Sequence, residues 1–221
     1  MIVINWNMQG ASYSTENKWN SGVLPFFAQY NADICLLQEC GAIPASAILQ
    51  TANVNGIINL NLYTWGTDRS NKYILFYPAD PRGNRCNLAV VSNVPPTNCG
   101  FILSATVPTW RPIIGVVIGG IFFGSIHAIS PNGPDAQGLL NQVAAFAGGI
   151  GIPWVVGGDY NRLPGTMAPF GWIVNPPNYP TYPATAPLNA LDFSVKSVGT
   201  SIIGRVLALQ MSDHLPVSYT Y

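Results

Sequence analysis

Short apolar runs that stop at a polar residue recur along this chain, and they limit the folds open to it. The clearest is Trp154-Val155-Val156-Gly157-Gly158-Asp159-Tyr160-Asn161-Arg162, where a strand-type run ends at an acid and an amide. Ile2-Val3-Ile4-Asn5-Trp6-Asn7 ends at an amide, and Asp33-Ile34-Cys35-Leu36-Leu37-Gln38-Glu39 ends at a carboxylate. The latter is almost continuously apolar, as expected of a strand buried on both faces. Such runs are expected to form buried strands, each presenting its polar residues at a strand end.

Further strands are expected over Tyr73 to Tyr77, Asn87 to Ser92, Leu191 to Val195 and Ser212 to Tyr219, with two more between Arg111 and His127 joined at Gly119-Gly120. Thr15 is placed to cap a helix running through Trp19 toward Tyr30. The spacing of Leu139, Leu140, Val143 and Phe146 predicts a second helix over 135–148. Residues 41–62 read as a loop with a short helix near Pro44, and the Pro, Gly and Asn of Pro164 to Pro187 as a long surface loop. Strands outnumber helices, so a mixed-sheet α/β sandwich fits best, with residues 1–221 as one domain.

Hydrophobic residues make up 48% of the chain and charged residues only 8%, with no net charge. No general electrostatic pull toward nucleic acid exists, so a polyanion has to be held by local cations or a metal. Six of the nine Lys and Arg residues fall between Arg69 and Arg162, among them Arg82 and Arg85 in one turn, enough for a local patch. The apolar stretch from Pro112 to Ile126 is broken by glycines and is shorter than the ~20 residues a membrane helix needs. Met1 leads straight into Ile2-Val3-Ile4 without the pattern of a secretory leader, which reads as a cytosolic protein or a mature form with a new initiator. Cys86 and Cys99 flank an expected hairpin and could pair, while Cys35 and Cys40 read equally well as free thiols; none of the four has zinc-site spacing.

Singly, these polar residues have ordinary explanations. His127 after an apolar run could be a satisfied core histidine, Asn7 a turn former, Asp192 a partner of backbone amides, and Asp213-His214 a capped turn. Glu39 is harder to dismiss, because a carboxylate closing an apolar strand needs a partner. If the strand ends converge, Glu39, Asp159, Asp192 and Asp213 share one rim with both histidines, Asn7 and Asn161. Four crowded carboxylates repel, and a divalent cation relieves that repulsion. A hard ion such as Mg²⁺ suits oxygen ligands at a sheet edge and often sits against phosphates. With two histidines beside it, the set points to phosphoryl chemistry, in which one His activates water and arginines grip the phosphate.

Trp6-Asn7, Leu37-Gln38-Glu39, Gly124 to His127, Gly157 to Asn161, Leu191-Asp192-Phe193 and Ser212 to Val217, in this order, resemble the endonuclease/exonuclease/phosphatase superfamily typified by deoxyribonuclease I. Trp6 to Gly10, Ser14 to Asn20, Asn84 to Ser92 and Arg111 to Gly115 resemble its branch of catalytic B subunits of cytolethal distending toxins. The resemblance implies a four-layer αββα sandwich and Mg²⁺-dependent cleavage of DNA phosphodiesters, with Mn²⁺ or Ca²⁺ as substitute ions. It makes Glu39 the principal metal ligand, with Asn7, Asp159, Asn161 and Asp213 around metal and phosphate. His214 oriented by Asp192 becomes the general base, His127 the general acid or phosphate-stabilising partner, and Arg85 and Arg111 contacts to DNA phosphate. Separate delivery subunits and action of a secreted toxin in the nucleus of a target cell are implied as well. One departure is local: Asn71 stands where deoxyribonuclease I has a Glu to pair with the first histidine. A phosphoinositide phosphatase would use the same metal and histidines, and a degenerate binding protein would keep only the scaffold.

Overall fold

The computed structural model describes residues 1–10, 15–66, 70–80, 85–103, 111–167 and 171–221. Ser14, Arg82 and Asn84 of the motifs above lie outside the described residues, as does the side chain of Thr15 with its expected cap. In chain order the strands are β1 (Ile2–Asn7), β2 (Ile34–Gln38), β3 (Ile48–Thr51), β4 (Asn61–Trp65), β5 (Lys72–Tyr77), β6 (Leu88–Ser92) and β7 (Asn98–Ile102). They continue with β8 (Ile113–Ile118), β9 (Ile121–His127), β10 (Trp154–Asp159), β11 (Ile173–Asn175), β12 (Asp192–Lys196), β13 (Arg205–Val206) and β14 (Val217–Thr220). Helices α1 (Thr15–Lys18) and α2 (Leu24–Gln29) are joined by a π-helical turn at Trp19–Val23, and α3 is Ala136–Gly149. Among the described residues no helix is long and apolar enough to cross a membrane.

Two mixed sheets stack face to face. One runs β13-β14-β1-β2-β6-β5-β4-β3 and the other β11-β12-β10-β9-β8-β7. Period-2 alternation sorts the side chains of each strand between two cores. Along β1, Val3 joins the core between the sheets, with Leu36, Val90, Ile114, Val116 and Phe123. Ile4 and Trp6 point outward into a core built with Trp19, Val23 and Phe26 of the helical segment. On the far side Leu139, Leu140 and Val143 of α3 pack against Phe122, Ile126 and Val156. Three cores between helix, sheet, sheet and helix make a four-layer αββα sandwich of the deoxyribonuclease I type. Trp6 meets Phe26 edge-on with centroids 5.6 Å apart and is fully buried, so Trp6→Ala would cost about 3–5 kcal/mol.

Register decides which polar ends meet. β1 and β2 are parallel, with Asn7 beside Gln38, so Asn7 and Glu39 emerge at the same rim. β10 pairs parallel to β9 with Asp159 beside His127, and antiparallel to β12 with Asp159 beside Asp192. The sheets are tied beneath this rim: Gln38 Nε2 donates to Ser125 Oγ at 2.8 Å, and Ser125 Oγ donates to the Leu37 carbonyl at 3.0 Å. Gly158, at φ 149, lets the sheets approach there, since a Cβ would overlap the Ile126 carbonyl and crowd Gln38.

Several expectations need correction. Residues 41–62 are not a loop: they contain β3, a 3₁₀ turn at Val54–Gly56 and the start of β4, while Pro44 opens a turn, with Ala47 N donating to Pro44 O at 2.9 Å, and not a helix. Pairing with β4 makes β3 a strand although every one of its residues is exposed, which leaves no apolar alternation to read. The 164–187 segment is not simply surface loop, because it holds a 3₁₀ turn at Pro164–Thr166 and β11, and it buries Asn175, Thr181 and Ala184. Cys86 and Cys99 do not pair, and all four cysteines are free. The expected hairpin between them does not exist, since β6 belongs to one sheet and β7 to the edge of the other.

Candidate active site

The polar strand ends open into one cleft of about 800 Å³, lined in part by Glu39, Arg85, Arg111, His127, Asp159, Asn161, Asp213 and His214. Asn7 and Asp192 lie just behind this lining and are bonded to it. Asn7, Glu39, Arg85, Arg111, His127, Asp159, Asn161, Asp192, Asp213 and His214 are therefore gathered at one rim.

Asp159 is the hub. Its Oδ2 accepts a hydrogen bond from Asn7 Nδ2 at 3.0 Å and lies 3.7 Å from His127 Nε2 and 3.8 Å from His214 Nε2. Its Oδ1 accepts from the Asn161 N–H at 2.8 Å, the turn that the Asp-x-Asn spacing provides. Asn7 Nδ2 also reaches Glu39 Oε1 at 3.4 Å, and His127 Nε2 stands 3.5 Å from the same oxygen. Asn7 thus turns its amide NH₂ toward the two carboxylates, while its oxygen accepts from Gln9 N at 3.0 Å.

Backbone strain places two of these groups. Glu39 sits at φ 46 and Asn161 at φ 49, left-handed values that cost a non-glycine residue about 1–3 kcal/mol and persist only when neighbours enforce them. Gly10 makes room for that turn, because a Cβ there would overlap the Glu39 carbonyl. The last motif is held in the same way: Ser212 Oγ donates to the Asn7 carbonyl at 2.7 Å, and the core indole of Trp6 donates to the His214 carbonyl at 3.2 Å.

His214 Nδ1 lies 2.8 Å from Asp192 Oδ2, and Asp192 is wholly buried. Burial works against a charge on His214, but the Asp192 carboxylate and its hydrogen bond, joined by Asp159 and Asp213, outweigh it and raise the pKa to about 9. His127 goes the other way: burial, then the charges of Arg111 and His214, push it well below the usual range and keep it neutral. Its Nδ1 has no partner among the described residues. Asn71 does not occupy the expected pairing position: it precedes β5 at the end where Tyr73 pairs with Ser92 and Ser92 with Ile34, opposite the Glu39 rim. Asp159 is pushed up to about 7 by burial and by Asp192. Burial raises Glu39 too, against the hydrogen bond from Asn7.

Carboxylates held above their ordinary pKa in this way are short of positive charge, which a divalent cation would supply. The ligand atoms of Asp159, Asp192 and His214 lie within 4.8 Å of one another and could hold an ion. Two of those three groups are already joined by the 2.8 Å hydrogen bond, however, whereas Glu39 keeps 18% of its side chain open to the cleft beside Asp159. The oxygen donors at the cleft floor suit a hard ion.

Arg111 Nη1 and Asn161 Nδ2 both donate to the Ala128 carbonyl, at 3.1 and 2.9 Å, which fixes them side by side next to His127. Arg85 is exposed at the cleft wall. Several contributors escaped the sequence reading. Arg162 lines the cleft, with Nε bonded to Thr166 Oγ1 at 2.8 Å. Lys18 is buried behind the Glu39 loop, where Nζ donates to the Met8 carbonyl at 2.6 Å. Thr181 and Tyr182 come from a Pro-rich stretch with no periodic signal. Arg162 directly follows the Asp-x-Asn motif and Lys18 lies within the Ser14 to Asn20 segment, so both had a local signal; nothing in the sequence marks Thr181 or Tyr182.

A family model described as Endonuclease/Exonuclease/phosphatase family matches residues 4–214, and the chain belongs to that family. It is 32% identical over 237 residues to a homologue of the cytolethal distending toxin B chain from Salmonella typhi, covering 98% of this chain and 88% of that protein. To the cytolethal distending toxin B chain of Escherichia coli it is 34% identical over 177 residues, 75% of this chain and 65% of that one. The crystal structure of the Haemophilus ducreyi cytolethal distending toxin superposes with a TM-score of 0.87 at 27% identity, over 98% of this chain and 96% of that chain. Within the family, this is a protein like the B chains of cytolethal distending toxins.

Proposed function

We propose that this protein is a divalent-metal-dependent deoxyribonuclease that hydrolyses DNA phosphodiester bonds, and that it is the active component of a toxin of the cytolethal distending type. The convergence of both histidines, Glu39 and Asn7 on Asp159, beneath Arg85 and Arg111, carries this reading. Glu39 is the principal ligand for Mg²⁺, with Asn7, Asp159, Asn161 and Asp213 about the ion and the phosphate, and Mn²⁺ or Ca²⁺ as substitutes. When bound, the ion supplies charge stabilisation to the phosphate oxygens.

The remaining work belongs to the chain's own groups. Arg85 and Arg111 hold the phosphate through charge-assisted hydrogen bonds. His214 Nε2 takes a proton from the attacking water while Asp192 keeps the proton on Nδ1 and steadies the resulting imidazolium. A cation held by Glu39 and Asp159 would offset the carboxylate charge that keeps a proton on His214, leaving Nε2 to act as base. The neutral state of His127 favours hydrogen-bond donation to a phosphate oxygen over proton transfer. All 221 residues act as one catalytic domain, delivered by separate subunits to the nucleus of a target cell.

A phosphoinositide phosphatase is the second reading, favoured by the zero net charge, which leaves few cations to grip a duplex. Parallel assays separate the two. Nicking of supercoiled plasmid without phosphate release from inositol phospholipid vesicles supports the nuclease; the reverse result supports the phosphatase.

A further inference from the structure

The chain between β11 and β12 has no long element of its own, yet it is built into the dyad of His214 and Asp192. Thr181 is fully buried, and its Oγ1 accepts the backbone N–H groups of Leu191 and Asp192, each at 3.2 Å. The Thr181 carbonyl accepts from Leu215 N at 2.9 Å, and Ala184 N donates to the Asp213 carbonyl at 2.7 Å. Both neighbours of His214, and Asp192 itself, are thereby tied to one strap.

Between these anchors Tyr182 lays its ring against the His214 imidazole, with centroids 4.7 Å apart and planes tilted by 38°. The Tyr182 backbone cannot drift: its N–H donates to Asn189 O at 3.0 Å, and its carbonyl accepts from the N–H groups of Leu188 and Asn189, both at 2.9 Å. A hydrogen bond at Nδ1 fixes one point of an imidazole and leaves the ring free to swing about it. An aromatic ring packed against the imidazole at 4.7 Å, tilted by 38°, restricts that swing. Nε2 is then held toward Asp159 and the cleft, 3.8 Å from Oδ2.

We propose that Tyr182 is a positioning residue for His214, its ring holding the imidazole in the plane that joins Asp192 to the cleft, with Thr181 fixing Asp192 in the same strap. The proposal rests on the hydrolytic reading of His214 given above. Reaction geometry is steep in position, a misplacement of about 1 Å costing on the order of 10²-fold in rate. Tyr182 acts through its ring face and not through its hydroxyl, so phenylalanine is an adequate substitute.

The test is steady-state cleavage of a short DNA duplex with Mg²⁺ by the full chain, comparing wild type, Tyr182→Ala and Tyr182→Phe. Tyr182→Ala is expected to lower kcat by about 10- to 100-fold with KM within about twofold, and Tyr182→Phe to restore most of the rate. In a His214→Ala background, Tyr182→Ala should cost nothing further, as expected for residues acting as one unit. Tyr182→Leu, which keeps bulk without an aromatic face, serves if the alanine variant does not fold. A rise in KM at constant kcat, an equal loss in the phenylalanine variant, or an unchanged rate in the alanine variant would each overturn the proposal. Well-folded wild type inactive on DNA and on inositol phospholipid alike would instead overturn the hydrolytic reading, and this proposal with it.

Discussion

His214 and Asp192 meet through Nδ1 and Oδ2 at 2.8 Å, deep enough that Asp192 has no exposure to solvent, while the other ring nitrogen of His214 faces Asp159. An acceptor at Nδ1 keeps that nitrogen protonated and leaves Nε2 to exchange protons with the cleft. Asp192→Asn retains the size of the side chain but removes the charge that stabilises an imidazolium. Its kcat is expected to fall by about 10²-fold or more, the usual scale of lost acid–base catalysis, with circular dichroism unchanged. A variant as fast as wild type would show that the pair is only structural.

Glu39 keeps access to the cleft, and its pKa is raised by burial. Glu39→Gln preserves a hydrogen-bonding partner for Asn7 but removes a negative ligand. Mg²⁺ affinity measured by calorimetry should weaken by at least about 10-fold. Unaltered affinity would move the ion to the Asp159, Asp192 and His214 group.

Metal-free protein should lose stability as pH rises. Asp159 is pushed up to about 7 and His214 to about 9, against unfolded values of about 4 and 6.5. Both groups hold a proton more tightly when folded, so their favourable contributions are present at low pH and are lost through about 7 for Asp159 and about 9 for His214. His127, pushed down by burial, acts oppositely and costs stability only as pH falls below about 6.5. In EDTA, Tm should decline between about pH 6.5 and 9, and added Mg²⁺ should raise it more at the upper end. A flat profile in EDTA would contradict this charge arrangement.

Among the described residues few cations face the cleft: Arg85, Arg111 and Arg162. If only these contact phosphates, log affinity for duplex DNA against log salt has a slope no steeper than about −3, and Arg111→Ala reduces it by about 1. Fluorescence anisotropy over a salt series measures it. A much steeper slope would require phosphate contacts well beyond the cleft.

The strands that build the site were legible because each is apolar throughout and ends abruptly, as β2 does at Glu39 and β10 at Asp159. Their convergence was legible only as a joint pattern of polar ends, since parallel register between β9 and β10 is a long-range choice that local composition does not encode. β3 was missed because Ile48 and Leu49 are exposed at an edge, so burial leaves no period in them. Lys18 was missed because its burial depends on the carbonyls of Met8 and Gln9, which only the folded loop brings to Nζ. Cys86 and Cys99 looked like a pair because they flank adjacent strands in the chain, but the chain passes from one sheet to the other between them.

Nicking of supercoiled plasmid by wild type and His214→Ala, each in Mg²⁺ and in EDTA, tests the assignment most directly. Metal-dependent nicking that disappears in EDTA and falls by about 10²-fold or more in the variant is the predicted result. Wild type that is folded and binds Mg²⁺ yet leaves the plasmid intact would contradict it.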